Sequence, residues 1–180
     1  QGVEFIAAFT AINRVDDFAM TPQQNIAHAS TTFMAQNRGA GKIERMKKGF
    51  FSSILLQAIY TAVIAAVTFF FSRQIMELFV GENSEEVVSL GISYLVLIAP
   101  MYVMPAATNI IQGYFRGLGD LKVTLISTIL NMSARFFTAW LMIHVMHGGF
   151  DRLAWANFFG WVAMLAFQIP MITYRWKKVK

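Results

Sequence analysis

The side chains here that could do chemistry lie inside stretches that are otherwise apolar. Arg135 is the single formal charge between Val123 and Met146. Thr21, Gln24, Asn25 and His28 crowd one segment together with Pro22, Gln23 and Ser30 to Thr32. On a helix Gln24 and His28 share one face, and Thr21 and Asn25 share another. Tyr94, Met101, Tyr102, Asn109 and Gln112 flank two prolines, Pro100 and Pro105. Asp16 and Asp17 follow Arg14 closely. If these segments cross a bilayer, each polar group has to be accounted for. A charge at the bilayer centre costs at least about 2.5–3.5 kcal/mol. Arg135 therefore faces a wet cavity, as an electrostatic element of a translocation path, or is satisfied by carbonyls or a carboxylate. The polar set around Gln24 either lines a water-filled interior or makes interhelical hydrogen bonds worth about 0.6 kcal/mol each. His28 reads first as a hydrogen bonder, although its ring could take a proton near neutral pH. Asp16 and Asp17 read as members of a local ion pair with Arg14 rather than as a cation site.

Covalent chemistry has no support. There are no cysteines, so no thiolate nucleophile, disulfide or sulfur-ligated metal is expected. No Gly-Lys-Ser/Thr phosphate loop, His-Glu-x-x-His pair or Ser/His/Asp set is visible. The expectation is no enzyme, no metal and no cofactor. What remains is recognition and passage of a ligand.

The elements that must position these groups are long apolar helices. The chain is 56% hydrophobic and 14% charged, where soluble domains carry about 25% charged residues. A spanning helix needs about 20 mainly apolar residues, and five segments qualify: 9–35, 50–72, 87–115, 123–146 and 153–174. The expected fold is all-α, a polytopic membrane helix bundle in a single domain. Pro100 and Pro105 each remove a donor and clash one turn back, which predicts a bend in the third span. The bend frees the Val96 and Met101 carbonyls and makes a hinge. The 11 methionines suit adaptable apolar contacts.

The net charge of +5 does not indicate nucleic acid, because the basic residues sit in short runs between spans. Arg38, Lys42, Arg45, Lys47 and Lys48 fall after the first span, Arg116 and Lys122 after the third, and Arg175, Lys177, Lys178 and Lys180 after the fifth. The intervening loops carry Arg73 and Arg152 among Glu77, Glu82, Glu85, Glu86 and Asp151. By the positive-inside rule the first set is cytoplasmic, so the C-terminus is inside. Entry from outside, an odd number of spans and Gln1 in place of Met suggest a segment of a longer protein. Residues 73–86 read as a helix end with a turn at Gly81, in preference to a short amphipathic surface helix. Trp155 and Trp176, near opposite ends of the last span, suit membrane interfaces.

Two cytoplasmic loops are distinctive. One reads Gln36-Asn37-Arg38-Gly39-Ala40-Gly41-Lys42, followed by Glu44-Arg45. The other reads Gln112-Gly113-Tyr114-Phe115-Arg116-Gly117-Leu118-Gly119-Asp120. Gly39, Gly41, Gly117 and Gly119 permit positive φ at tight reversals, and Asp120 stands where it could cap the next helix. The basic side chains can hold anionic headgroups. The motifs read as structural loops that anchor helix ends.

Both loops resemble signatures of the MATE (multidrug and toxic compound extrusion) family, as does Arg14-Val15-Asp16 upstream. Ala35 stands where the family pattern has Gly. The resemblance covers essentially the whole chain and matches its spans to the eighth to twelfth of twelve. It implies part of the C-terminal lobe of a two-lobed transporter, working by alternating access in the plasma (inner) membrane. The implied partners are the lipid bilayer, the N-terminal lobe of the same polypeptide and a small organic substrate. The implied function is export of organic, often cationic and amphipathic, compounds in exchange for Na⁺ or H⁺. Some branches of the family carry a coupling carboxylate in the helix matching 87–115. That stretch has none here, so the coupling site is expected outside this segment. Two rival readings are a lipid-linked saccharide flippase, which several cations facing one deep cavity would favour, and a membrane scaffold that only packs with partners.

Overall fold

A computed structural model describes residues 2–80, 85–144 and 152–178, all helix or short turn. The helices are α1 (Gly2–Gly39), α2 (Ile43–Phe70), α3 (Ser72–Val80), α4 (Glu85–Ile98), α5 (Val103–Gly117), α6 (Leu121–His144) and α7 (Arg152–Lys178). The turn at Gly81 and the end of the fourth span beyond His144 lie outside the described residues. Among the described residues, three segments are long and apolar enough to cross a membrane: Ile43–Phe70, Glu85–Gly117 and Leu153–Lys177. The helices α1 (38 residues) and α6 (24 residues) match them in length. Both interrupt their apolar runs with charge, at Arg14, Asp16 and Asp17 and at Arg135.

The helix α1 is the hub, packed against α2, α4 and α5, while α6 packs chiefly on α7. One core cluster joins Ile12, Val15 and Ala19 to Leu95, Ile98 and Tyr102. A second joins Ala27 and Met34 to Phe50, Tyr114 and Phe115. Leu55, Ile59 and Val63 on α2 and Leu125, Ile129 and Phe136 on α6 are exposed. In water such faces would be costly, and in lipid they are solvated. Trp176 packs with Phe50, Phe51 and Tyr114 at centroid distances of 5.3–5.6 Å.

The third span is broken, as its prolines require. A 3-10 turn over Ala99–Tyr102 separates α4 from α5, with Pro100 in its first residues and Pro105 in the first turn of α5. At Pro105, where the ring removes the donor to Met101, the Val103 amide turns to the Met101 carbonyl instead. The Gln23 amide of α1 braces the break, reaching the Tyr102 carbonyl (3.5 Å) and Thr61 Oγ1 of α2 (3.3 Å).

Three loop expectations need correction. Residues 72–80 form a separate amphipathic helix, α3, rather than only a helix end. Met76 is fully buried in a notch left by Gly91, and Ile75, Phe79 and Val80 pack beside it. Arg73 pairs with Glu77 (3.3 Å) and Glu85 (3.1 Å), and the bond to Glu85 pushes the guanidinium further up from its usual pKa. Only Gly41 (φ 70°) and Gly119 (φ 71°) take positive φ among the described glycines. Gly113 and Gly117 instead lie against α1. A Cβ on Gly113 would stand 2.8 Å from the Ala27 carbonyl oxygen, and one on Gly117 2.9 Å from Met34 Cβ and 3.0 Å from the Thr31 carbonyl oxygen. Spaced four apart, they form a small-residue seam that brings two backbones together. Finally, Asp120 does not cap α6. Its carboxylate accepts from Arg175 of α7 at 2.6 Å. The two distinctive loops also meet, since Arg38 donates to the Leu118 carbonyl, while Asn37 is held by the Phe33 carbonyl at 2.7 Å. The Gln36 carbonyl accepts the Ala40 amide at 3.0 Å.

Candidate functional site

The polar faces of α1, the broken span, α6 and α7 converge on a cavity of about 650 Å³. Its size falls in the range of small-molecule sites, about 300–1,000 Å³. One wall is α1, with Asn13, Asp16, Asp17 and Gln24. Opposite stand Asn131 and Arg135 on α6, with Asn157 and Trp161 on α7 and Tyr94, Pro105 and Asn109 on the broken span closing the sides.

Asp16 anchors this wall. Tyr102 donates to Oδ1 at 2.8 Å and Tyr94 donates to Oδ2 at 3.0 Å. The Asn157 amide then donates to the Tyr94 hydroxyl at 3.1 Å. One carboxylate thus ties α1 to both halves of the broken span and, through Tyr94, to α7. Charge-assisted bonds of this kind are worth about 1.5–3 kcal/mol each. The expected ion pair with Arg14 is absent: no ion pair involving Arg14, Asp16 or Asp17 is present among the described residues. Arg14 points to a different shallow pocket beside Phe79 and Val80.

Arg135 is positioned by a glycine. Its aliphatic stem lies over Gly160 of α7, where a Cβ would come within 2.9 Å of Arg135 Cδ and 3.2 Å of the Asn131 carbonyl oxygen. The guanidinium lines the same cavity as Asp16. It forms no ion pair among the described residues.

The other sequence candidates divide. Gln24, Tyr94, Asn109 and Arg135 line the cavity, with Gln112 bonded to Thr128 at its side (3.2 Å). Tyr102 is fully buried behind the wall, holding Asp16, and Met101 belongs to the core. Asn25 opens on a groove between α1 and α2. Thr21 and His28 are exposed and stand outside the lining of the cavity that Gln24 reaches. Pro105 lines the cavity, while Pro100 faces an apolar groove of about 410 Å³ on the far side, shared with Gln57 and Thr61. Gln168 stays inside the α6–α7 contact, donating to Ser127 at 3.3 Å. Asp16 as an organising centre was missed. An aspartate inside a spanning helix is as costly as an arginine, and that signal was present.

Comparison with known proteins fits the same picture. The MatE family model matches residues 2–141. The chain is 26% identical over 144 residues to the probable multidrug resistance protein YoeA of Bacillus subtilis, covering 79% of this chain and 31% of that protein. A solved multidrug resistance MATE family transporter of the MOP superfamily, in an outward-facing conformation, superimposes with a TM-score of 0.86 at 21% identity, over 99% of this chain and 40% of that one. An inward-facing structure of such a transporter gives 0.83 at 20% identity, over 96% of this chain and 40% of that one. The chain thus spans less than a third of the length of YoeA.

Proposed function

The chain belongs to the MatE family, and on that premise we propose that it supplies most of the C-terminal lobe of a drug- or metabolite-exporting antiporter. The observation that carries this reading is the cavity. It is sized for a small organic molecule and carries carboxylates on α1. Its aromatic and apolar surfaces come from Trp161, Phe136 and Met164. Such a lining suits amphipathic cations, whose charge meets Asp17 while their rings lie on the apolar walls. The other lobe is the N-terminal half of the same polypeptide, and the membrane is the inner membrane with the C-terminus in the cytoplasm.

The exchange is for Na⁺ or H⁺, with the coupling site outside this segment. The span 85–117 carries carboxylates only at its outer end, and both oxygens of Asp16 are occupied by phenols, which supports that placement. The flippase reading asked for several cations facing one cavity, and Arg135 is the only Arg or Lys among the described residues lining it.

The test is efflux of ethidium by the full-length parent in exporter-deficient cells, with either the Na⁺ or the proton gradient collapsed. Gradient-dependent efflux is expected, and the gradient that matters names the ion. Absence of efflux from well-inserted protein counts against the antiporter.

A further inference from the structure

We infer that the apolar groove between α2 and the broken span is a second binding site, reached from the lipid, for a neutral lipophilic molecule that carries a lactam-type amide. The groove encloses about 410 Å³, enough for a small organic molecule. Ile54, Ala58 and Ala62 of α2 line it opposite Val103, Ala107 and Ile111. It shares no lining residue with the cavity around Asp16 and Arg135. Ile54 and Val103 are exposed, so the groove opens outward from the bundle, on a surface that lipid solvates.

One group in this lining lacks its partners. Gln57 is 3% exposed, and among the described residues neither amide atom has a hydrogen-bond partner. Thr61, one turn further along the same groove, takes the amide of Gln23 (3.3 Å). A buried amide left unpaired is costly, and a ligand that pairs with it recovers that cost. A primary amide offers a donor and an acceptor side by side. A lactam presents the complementary C=O and N–H on one edge and closes two bonds, where a ketone or an ester can only accept. The Gln side chain turns about staggered single bonds, so a change of rotamer presents both atoms to an occupant.

Charge and depth narrow the class further. No charged side chain lines the groove, so an ion would lie unpaired in hydrocarbon, at high cost. Gln57 stands midway along α2, about 20 Å from either end at 1.5 Å per residue. The polar groups of a phospholipid stay outside the hydrocarbon core, which is about 30 Å thick, and its acyl chains offer nothing to an amide. The occupant is therefore apolar over most of its surface, uncharged, and carries its amide to mid-membrane.

A matched pair of probes isolates the lactam edge: tritiated 6-pentylisoquinolin-1(2H)-one, and its N-methyl derivative, which keeps the carbonyl and the apolar body but loses the donor. Binding to the full-length parent in phosphatidylcholine nanodiscs is measured over empty discs. The lactam is expected to bind about tenfold more tightly than its N-methyl derivative, close to the net worth of one hydrogen bond. Gln57→Leu, of similar volume, is expected to remove that preference. Val103→Trp, which fills the groove from its exposed side, is expected to weaken both probes. Equal binding of the two probes by the wild-type protein, or binding of neither, overturns the inference without any variant. A preference that survives in Gln57→Leu places the lactam elsewhere and overturns it too. Ethidium efflux without a lactam preference overturns this site and leaves the export reading standing.

Discussion

At the residue scale, the polar atoms inside the bundle fall into two groups with opposite consequences. The Asp16 carboxylate has its oxygens filled by Tyr102 and Tyr94. Tyr102→Phe strips one of these bonds from a fully buried site and leaves Oδ1 without that donor, so it should destabilise the protein by about 1–3 kcal/mol. A lowered melting temperature of the purified full-length parent would register it, and an unchanged one would show that this bond is not structural. Gln57 is the reverse case. It is 3% exposed, and among the described residues neither its amide oxygen nor its nitrogen has a hydrogen-bond partner. Beside it lies the apolar groove formed with Pro100 and Val103. Gln57→Leu removes the buried amide at similar volume and should stabilise by about 1 kcal/mol. A fall in melting temperature would refute that. Much of the cavity was legible from residue types, because Arg135, Gln24, Tyr94 and Asn109 are costly or polar at membrane depth. Which face each presents was not, since a polar segment such as 21–32 has no apolar stripe to fix its rotation. Gln24 reaches the cavity lining, while His28 and Thr21, exposed on the same helix, stand outside it.

At the element scale, the glycines fall into three separable cases. Gly113→Ala drives a Cβ toward the Ala27 carbonyl, a backbone atom that cannot step aside. It should cost about 1–3 kcal/mol by overpacking the α1–α5 seam. Gly41→Ala meets open space but a φ of 70°, so its cost should be backbone strain of about 1–2 kcal/mol. Gly39→Ala has open space and no positive φ and should be close to neutral. Melting temperatures of the three variants in one detergent would rank them, and a Gly39→Ala protein as damaged as Gly113→Ala would break the scheme. The loop motifs were visible in the sequence as turn chemistry, yet local patterns cannot separate a glycine needed for φ from one needed for contact. The broken third span was readable because a proline's missing donor acts within one turn. The amphipathic α3 was not preferred, because nine residues carry little periodic signal.

At the scale of the whole molecule, the same 180-residue unit superimposes on an outward-facing and on an inward-facing transporter with TM-scores of 0.86 and 0.83. Its internal ties explain how such a unit could hold its shape. Asp16 links α1 to the broken span and, through Tyr94 and Asn157, to α7. Gly113 and Gly117 lock α5 to α1, Arg175 fastens the last helix to Asp120, and Gln168 joins α7 to α6. On the proposed antiporter reading, a body tied at both its loop end and its centre is expected to move as one piece against the other lobe. This segment contains no cysteine, so a pair can be introduced without competing thiols from its own helices. Ser127→Cys together with Gln168→Cys places thiols on facing positions of α6 and α7, and a short bifunctional reagent can bridge them. If the lobe rocks as one body, the bridged full-length parent should export ethidium at about the rate of the unbridged one. Efflux that stops on bridging and returns when the bridge is cleaved would mean that α6 and α7 must separate during transport, placing the moving boundary inside this lobe rather than at its edge.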